Sequence, residues 1–432
     1  MESANLEFII PNIDVFEIQE HSSFKEEHID YIRSLNLKLK NTDYEGTPQY
    51  LGITPDLKAS YYIGADWLND TKAVVVTPKM PNIDFIEMYL CALRFAPSAE
   101  YFSKFYCIDF EKPAIKTHAL NSPLTPLLIL HFLSVLQRLI KIGLKKGYVY
   151  KEENLKSKIR GKILITQNIR KNIIIKREER LYCKFQEYTV DIPENRLLKK
   201  ALIFANRAIC SFDSFQHHTK LSDIKRQMNN LLLTFENVSE DIEVNQVKKI
   251  ATNKLYKDYS EATRLAQMIL RKFDYSIKNI TEAQESTPPF WIDMSRLYEV
   301  YVYSLLEATY PGQVIFQENG HYCTAVDFLK PDEKLIMDTK YKPDYSTSNA
   351  YIINDIREIS GYARDEKILK TLGITNNEFT PPCLIIYPDN INNSSTSLNN
   401  KNFVQNQTLI SQSHSIKTFR KFYKIGISLP IK

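Results

Sequence analysis

Between Ala325 and Lys342 the chain reads AVDFLKPDEKLIMDTKYK, two strand-like runs separated by Pro-Asp-Glu-Lys. No other stretch limits the fold as tightly. A reverse turn centred between Asp332 and Glu333, flanked by Pro331 and Lys334, fixes the register of a hairpin in which 330 opposes 335, 328 opposes 337 and 327 opposes 338. Directly opposed residues share a face, with Cβ atoms about 5 Å apart, so Asp327 meets Asp338. Lys340 points the same way, because side-chain direction repeats every second residue along a strand. Like charges opposed in a sheet destabilise it. A divalent cation would offset them, and oxygen ligands suit Mg²⁺, with Mn²⁺ the alternative. Two acids and a lysine around such a cation can cleave a phosphodiester. The competing reading is a pair of surface strands with ordinary salt bridges.

An Asp-x-Lys triplet alone carries little information. The chain also holds Asp56-Leu-Lys58, Asp70-Thr-Lys72, Asp223-Ile-Lys225, Asp332-Glu-Lys334 and Asp365-Glu-Lys367. What separates Asp338-Thr339-Lys340 is its place at the end of an apolar strand, its cross-strand aspartate, and a preceding helix that carries Glu299. A helical glutamate is often merely solvated, so Glu299 is the softer member of the set.

The chain has 432 residues, and single cores seldom grow beyond ~250–300 residues, so two or three domains are expected. Glycine marks the divisions. None of the eleven falls between Gly161 and Gly312, a stretch with few prolines, and the absence of breakers favours helices. Apolar spacing predicts helices over 124–142, 194–209 (with Asp191 near its cap), about 220–236 and about 258–273. Residues 1–115 instead show short strand-like runs at 6–10, 61–64 and 73–78. After Ser286-Thr-Pro-Pro289, a helix over 291–309 is followed by strands at 314–319, 324–329 and 334–341. A helix over 354–372 and strands at 383–388 and 421–430 close the chain, and the Asn/Ser/Gln-rich stretch 389–407 reads as a loop. The expected fold class is α+β multidomain: an α/β or β-rich N-terminal domain (1–115), a mostly helical basic middle region (116–285), and an α/β/α C-terminal domain (286–432).

Charge is uneven. Residues 141–200 carry 17 Lys+Arg against 7 Asp+Glu, a net of +10 inside a chain whose total is +5. A basic band of this kind suits a polyanion, and Lys158, Arg160 and Lys162 are its candidate nucleic-acid contacts. A solvated lysine-rich face is the alternative. The six cysteines (91, 107, 183, 210, 323, 383) form no CxxC pair, which argues against a zinc ribbon and fits a reducing cytoplasm. The most apolar run, 127–135, is too short and polar-ended to span a bilayer, and no basic leader precedes the acidic N-terminus. His321 stands near the acids, but zinc needs three or four N or S ligands, so a hydrogen-bonding role is expected for it. His217-His218 reads as an exposed turn.

A glutamate-bearing helix, an aspartate, a hairpin to Asp-x-Lys and a second helix together resemble the PD-(D/E)xK nucleases. More specifically the chain resembles the McrC family, nuclease subunits of McrBC-type 5-methylcytosine restriction systems. IRGKILITQNIRKN (159–172) with CKFQEYTVDIPENRLLKKAL (183–202), MSRLYEVYV (294–302), VDF (326–328) and IMDTKYK (336–342) carry the resemblance, and YIGADWLND and VVVTPK extend it towards the N-terminus. It implies that Asp327 and Asp338 bind the metal with the Thr339 carbonyl, that Lys340 positions or activates water, and that Glu299 assists. Two positions depart from the family pattern: Val326 replaces a usual proline, and Glu358 with Tyr362 stands where the family has Gln and Tyr. The resemblance also implies DNA, as modified duplex, and a McrB-like AAA+ GTPase oligomer as partners, the latter docked by residues 1–150. The chain has no GxxxxGK[ST], so GTP would act only through that partner. A non-catalytic assembly subunit and a stand-alone nuclease are the rival readings.

Overall fold

The computed structural model describes residues 14–39, 48–80, 83–95, 106–109, 111–116, 124–209, 221–244, 247, 257–278, 286–321, 325–342, 349–375, 379–389 and 403–431. The expected strand at 6–10, the histidines at 217–218 and most of the 389–407 stretch lie outside these residues. The chain divides into two compact units, one formed by 1–123 with 284–432 and the other by 124–283.

In the first unit, β1 (Asp14–Gln19) runs parallel to β3 (Lys72–Thr77), and β3 pairs antiparallel with β2 (Tyr62–Trp67). Helix α1 (Glu26–Ser34) buries Ile32 in the core with Phe16, Ile18, Val74 and Val76. Helix α2 (Phe85–Phe95), β4 (Tyr106–Ile108) and β5 (Ile115–Lys116) complete this part. Glu20, at the end of β1, is wholly buried and among the described residues its Oε1 has no hydrogen-bond partner. Burial pushes its carboxyl up to about 8, against the Lys79 backbone N–H and ammonium that favour the charge. The folded form therefore holds a proton that the unfolded chain releases near 4.5. Stability is fully present below that value and is lost as pH rises towards 8. Glu20→Gln is expected to remove this slope, raising the melting temperature at pH 8 but not at pH 4 by the equivalent of a few kcal/mol. Parallel melting curves across that range check it.

The second unit opens with α3 (Leu124–Ile142), whose Leu127–Val135 run is buried apart from Ser134. A ten-residue strand pair follows, β6 (Gly147–Lys156) antiparallel to β8 (Arg180–Thr189), with short β7 (Lys162–Ile163) on the other side of β8. Between β7 and β8 lie a single helical turn, α4 (Ile165–Asn168), and a π turn over Ile169–Ile173. Much of the basic band thus sits on a hairpin, not on helices. Most of β6 is exposed on both faces, so the alternation that normally betrays a strand is missing. The expected helices are present as α5 (Pro193–Ala208), α6 (Leu221–Thr234) and α7 (Lys257–Lys278). Pro193 occupies the first turn of α5, where a missing N–H costs nothing. Asp191 does not cap that helix. Its carboxylate receives Arg196 Nε and Nη2 at 2.8 Å each and the Ser239 N–H at 2.9 Å, and Ile192 holds the cap position.

Returning to the first unit, β9 (Ser286–Thr287) pairs with β5, and β10 (Phe290–Asp293) inserts between β2 and β4. The expected helix over 291–309 therefore begins later, as α8 (Met294–Thr309), with Asp293 capping it through the Arg296 N–H at 3.1 Å. The second sheet has the order β11 (Ile315–Asn319), β12 (Ala325–Lys330), β13 (Leu335–Thr339), β14 (Cys383–Pro388), β16 (Phe422–Ile427), β15 (His414–Ser415). Strands β11 to β13 are antiparallel neighbours, while β13, β14 and β16 run parallel. Strand β14 is buried at all six residues, as parallel central strands are. The expected helix over 354–372 is two, α9 (Asn349–Tyr362) and α10 (Glu366–Thr371), because the Asp365 side chain caps the second at the Lys367 and Ile368 N–H groups. Ile356, Ile359, Ile368 and Leu372 of this pair pack on Val326, Ile336 and Ile385. Among the described residues no helix is long and apolar enough to cross a membrane.

Candidate functional site

Strands β12 and β13 pair in the register read from the sequence: Phe328 opposes Met337, Leu329 opposes Ile336 and Lys330 opposes Leu335. The turn is a single 3-10 turn over Pro331–Glu333 closed by Lys334 in the left-handed region (φ 49°). One step beyond the last pair, Asp327 and Asp338 face each other. Asp338 is buried. Asp327 turns one carboxylate oxygen onto the residue after its partner: Oδ2 accepts the Thr339 N–H at 2.7 Å and the Thr339 hydroxyl at 2.5 Å. Thr339, expected to contribute its carbonyl, is seen here to orient Asp327 through its N–H and hydroxyl.

Lys340 Nζ stands 2.7 Å from Asp338 Oδ2. That approach lacks hydrogen-bond geometry, so Asp338 Oδ2 has no directional donor. The same ammonium donates to Glu358 Oε2 on α9 at 2.7 Å, and the Tyr362 hydroxyl donates to Glu358 Oε1 at 3.3 Å. Glu299, on α8, is buried and accepts Gln317 Nε2 at 2.8 Å. Gln317 has φ 50° within β11. The rungs on either side, Phe316 with Phe328 and Glu318 with Val326, are intact, so Gln317 interrupts the ladder opposite Asp327. A non-glycine residue held in the left-handed region inside a strand is backbone strain of the kind that gathers at functional sites.

The electrostatics follow from burial. Burial, then the nearby Glu299, pushes the Asp327 carboxyl up to about 7, against the Thr339 bonds and Lys340. Burial and Asp327 push Asp338 well above the carboxylate range. Burial works against the charge on Lys340, yet Asp338 and Glu358 outweigh it and hold the ammonium above its ordinary value. The cluster thus has more acids than one lysine balances, and a buried oxygen whose ion pair lacks hydrogen-bond geometry. Hard oxygen donors of this kind fit Mg²⁺ or Mn²⁺. Among the described residues no group of three or more His, Cys, Asp or Glu side chains is placed to hold a metal ion. Asp327 and Asp338 alone would leave Mg²⁺ to complete its shell with water and substrate phosphate.

Other candidates fall elsewhere. His321 bonds Asp365, through its backbone N–H at 2.8 Å and Nδ1 at 2.9 Å, the hydrogen-bonding role expected of it. Lys158, Arg160 and Lys162 lie in the second unit. Lys158 and Lys162 are exposed. Arg160 stacks on the Phe185 ring at 4.3 Å and stands 3.6 Å from Glu187. Gln317 and the contact of Glu358 were missed in the sequence. Extending the hairpin register back through β11 would have placed Gln317 opposite Asp327; nothing in the sequence signalled the lysine contact.

The model of the family described as McrBC 5-methylcytosine restriction system component matches residues 57–357, well over half of the chain. The chain belongs to that family. The match spans β2 to the middle of α9 and so includes Glu299, Asp327, Asp338 and Lys340. Two solved assemblies from Thermococcus gammatolerans are similar to this McrBC family member. One is a refined half-complex of McrB AAA+ hexamers with bound McrC, at 16% identity over 96% of this chain and 94% of that chain, with a TM-score of 0.37. The other is the McrBC complex, at 16% identity over 68% and 87%, with a TM-score of 0.30. No curated protein matches.

Proposed function

We propose that this McrBC-family chain is the nuclease subunit of its restriction system, a Mg²⁺-dependent endodeoxyribonuclease with a PD-(D/E)xK core. The observation that carries the reading is the opposed pair Asp327 and Asp338, the second of them buried, with Lys340 2.7 Å from that second acid. Asp327, Asp338 and the Thr339 carbonyl would hold the ion, and Glu299, steadied by Gln317, would stand behind Asp327. A bound Mg²⁺ supplies Lewis acidity at the phosphoryl oxygens and lowers the pKa of water. Thr339 fixes the orientation of Asp327. Lys340, a cation between two acids, orients the attacking water and offsets the charge that grows on phosphorus. The water oxygen forms the new P–O bond and gives up a proton to solvent, the opposite P–O bond breaks, and the departing oxygen takes up a proton from solvent.

One similar Thermococcus assembly holds McrB AAA+ hexamers with bound McrC, and this McrBC-family chain has no P-loop motif in its sequence. A McrB-like AAA+ GTPase oligomer is therefore the proposed partner, with GTP consumed there, modified duplex DNA the substrate and residues 1–150 the docking region. Incubating methylated and unmethylated plasmid with the chain, with and without that GTPase, GTP and Mg²⁺, tests this. Cleavage confined to the complete mixture is expected; cleavage indifferent to the GTPase would contradict the partner.

Lys158 and Lys162 are the proposed DNA contacts that can be neutralised without disturbing the Arg160–Phe185 stack. Changing both to glutamine is expected to weaken DNA binding and lower the slope of log affinity against log salt by about 0.9 per lost phosphate contact. Titrations at several salt concentrations decide it, and an unchanged slope would make the band a solvated or protein-facing surface.

A further inference from the structure

Helix α9 turns Asp355, Glu358 and Tyr362 towards one side, at spacings that share a helical face. Asp355 is buried and receives Lys342 Nζ on both oxygens, at 2.7 and 2.9 Å. That bidentate pair fixes the helix against the chain leaving β13. One helical turn on, Glu358 meets Lys340, which lies two residues before Lys342.

The two acids that touch Lys340 are unlike. Asp338 is close but lacks hydrogen-bond geometry, whereas Glu358 accepts a hydrogen bond from the same ammonium. Glu358 is itself held on its other oxygen by Tyr362. The lysine side chain is only 14% exposed, while that of Glu358 is 47% exposed, at the open side of the cluster. A lysine has a flexible four-carbon stem and three rotatable donors, so a contact without direction does not aim it. The directional bond comes from α9.

We propose that Glu358 is a positioning residue that aims the Lys340 ammonium into the acid pair, acting on the reaction through Lys340 and not by touching the substrate. This rests on the nuclease reading above and adds a residue to it. The geometry asks for a hydrogen-bond acceptor at 358, not for a charge. Glutamine, whose amide oxygen can take the same bond, therefore preserves the function, and alanine or leucine does not.

The test is cleavage of plasmid by the complete chain with its AAA+ GTPase, GTP and Mg²⁺, comparing wild type, Glu358→Ala, Glu358→Leu, Glu358→Gln and Asp338→Asn, each with a melting temperature. Glu358→Ala and Glu358→Leu are expected to lower kcat about 10–100-fold, the range found for groups that orient metal-site residues, with KM for DNA and the melting temperature unchanged. Glu358→Gln should recover kcat to within about threefold. Wild-type kcat in Glu358→Ala, or a Glu358→Gln enzyme as slow as the alanine variant, overturns the proposal. If Asp338→Asn cleaves like wild type, the nuclease reading fails instead, and the two failures are told apart.

Discussion

Asp338→Asn is expected to lower DNA cleavage by about a thousandfold or more while raising the melting temperature of the metal-free protein. The loss follows from removing one of two acids that would hold the ion, whose charge stabilisation is worth several kcal/mol and hence several powers of ten in rate. The gain follows from the same burial. Asp338 is surrounded by protein, faces Asp327, and its carboxyl is pushed well above its ordinary 3.8. Its ionisation is easier in the unfolded chain than in the fold, so stability drains away as pH rises above about 3.8. Asparagine keeps the size and never ionises. The stabilisation should thus be present at pH 7, disappear below pH 4, and shrink when Mg²⁺ is added to wild type, which melting curves with and without the ion would show. A variant that melts lower than wild type at pH 7 would mean that Asp338 is a structural acid fully neutralised by Lys340.

Gly64→Ala is expected to destabilise the first unit by about 3 kcal/mol or more, through a different cause. Gly64 has φ 148° in β2, opposite Trp291 of β10. A Cβ there would lie 2.0 Å from the Phe290 carbonyl oxygen, 2.9 Å from its carbonyl carbon and 3.0 Å from the Trp291 Cα. All three neighbours are backbone and cannot rotate away, so β10 must shift. Because β10 leads directly into Asp293, the cap of α8, the strain passes to the helix that carries Glu299. Melting temperature and cleavage are expected to fall together, the former by roughly 5–10 °C. A variant that melts like wild type would show that β10 does not pack on β2 at this point.

These two sites differ in how far the sequence revealed them. The hairpin was legible because two independent signals agreed there, the Pro-Asp-Glu-Lys turn and the strand-like apolar runs on either side, and register then followed by counting. The long helices α3 and α5 were legible because apolar spacing persisted over several turns without a breaker. Strand β10 was not. Four residues are too few to show a period, and Trp291 and Ile292 fit the helical pattern of α8 equally well until the partner strands β2 and β4 are known. Strand β6 was hidden for the opposite reason: with most of it exposed on both faces, it has no hydrophobic alternation to read. The break between α9 and α10 turns on one side chain, that of Asp365, bonding forwards into the next helix, and a periodic reading passes over it.

Within the site, Asp327, Asp338 and Lys340 came from register alone, because the sheet places them without help from distant segments. Glu299 and Gln317 depend on how α8 packs beside β11, and Glu358 on the ion pair that ties α9 to Lys342. These are contacts between elements, and each was invisible to spacing within one element. Glu358 illustrates the difference best. As a sequence position it is a departure from the family pattern that weakened its standing; in the fold it accepts a hydrogen bond from the Lys340 ammonium.

Cleavage of a modified supercoiled plasmid by this chain, its AAA+ GTPase, GTP and Mg²⁺, set beside the same mixture with Asp327→Asn, tests the central claim most directly. The wild-type mixture should convert the plasmid to linear and nicked forms, and the variant mixture should leave it supercoiled while the GTPase still turns over. Equal cleavage by both, or none by wild type with an active GTPase, would contradict the assignment of the acid pair as the site of phosphodiester hydrolysis.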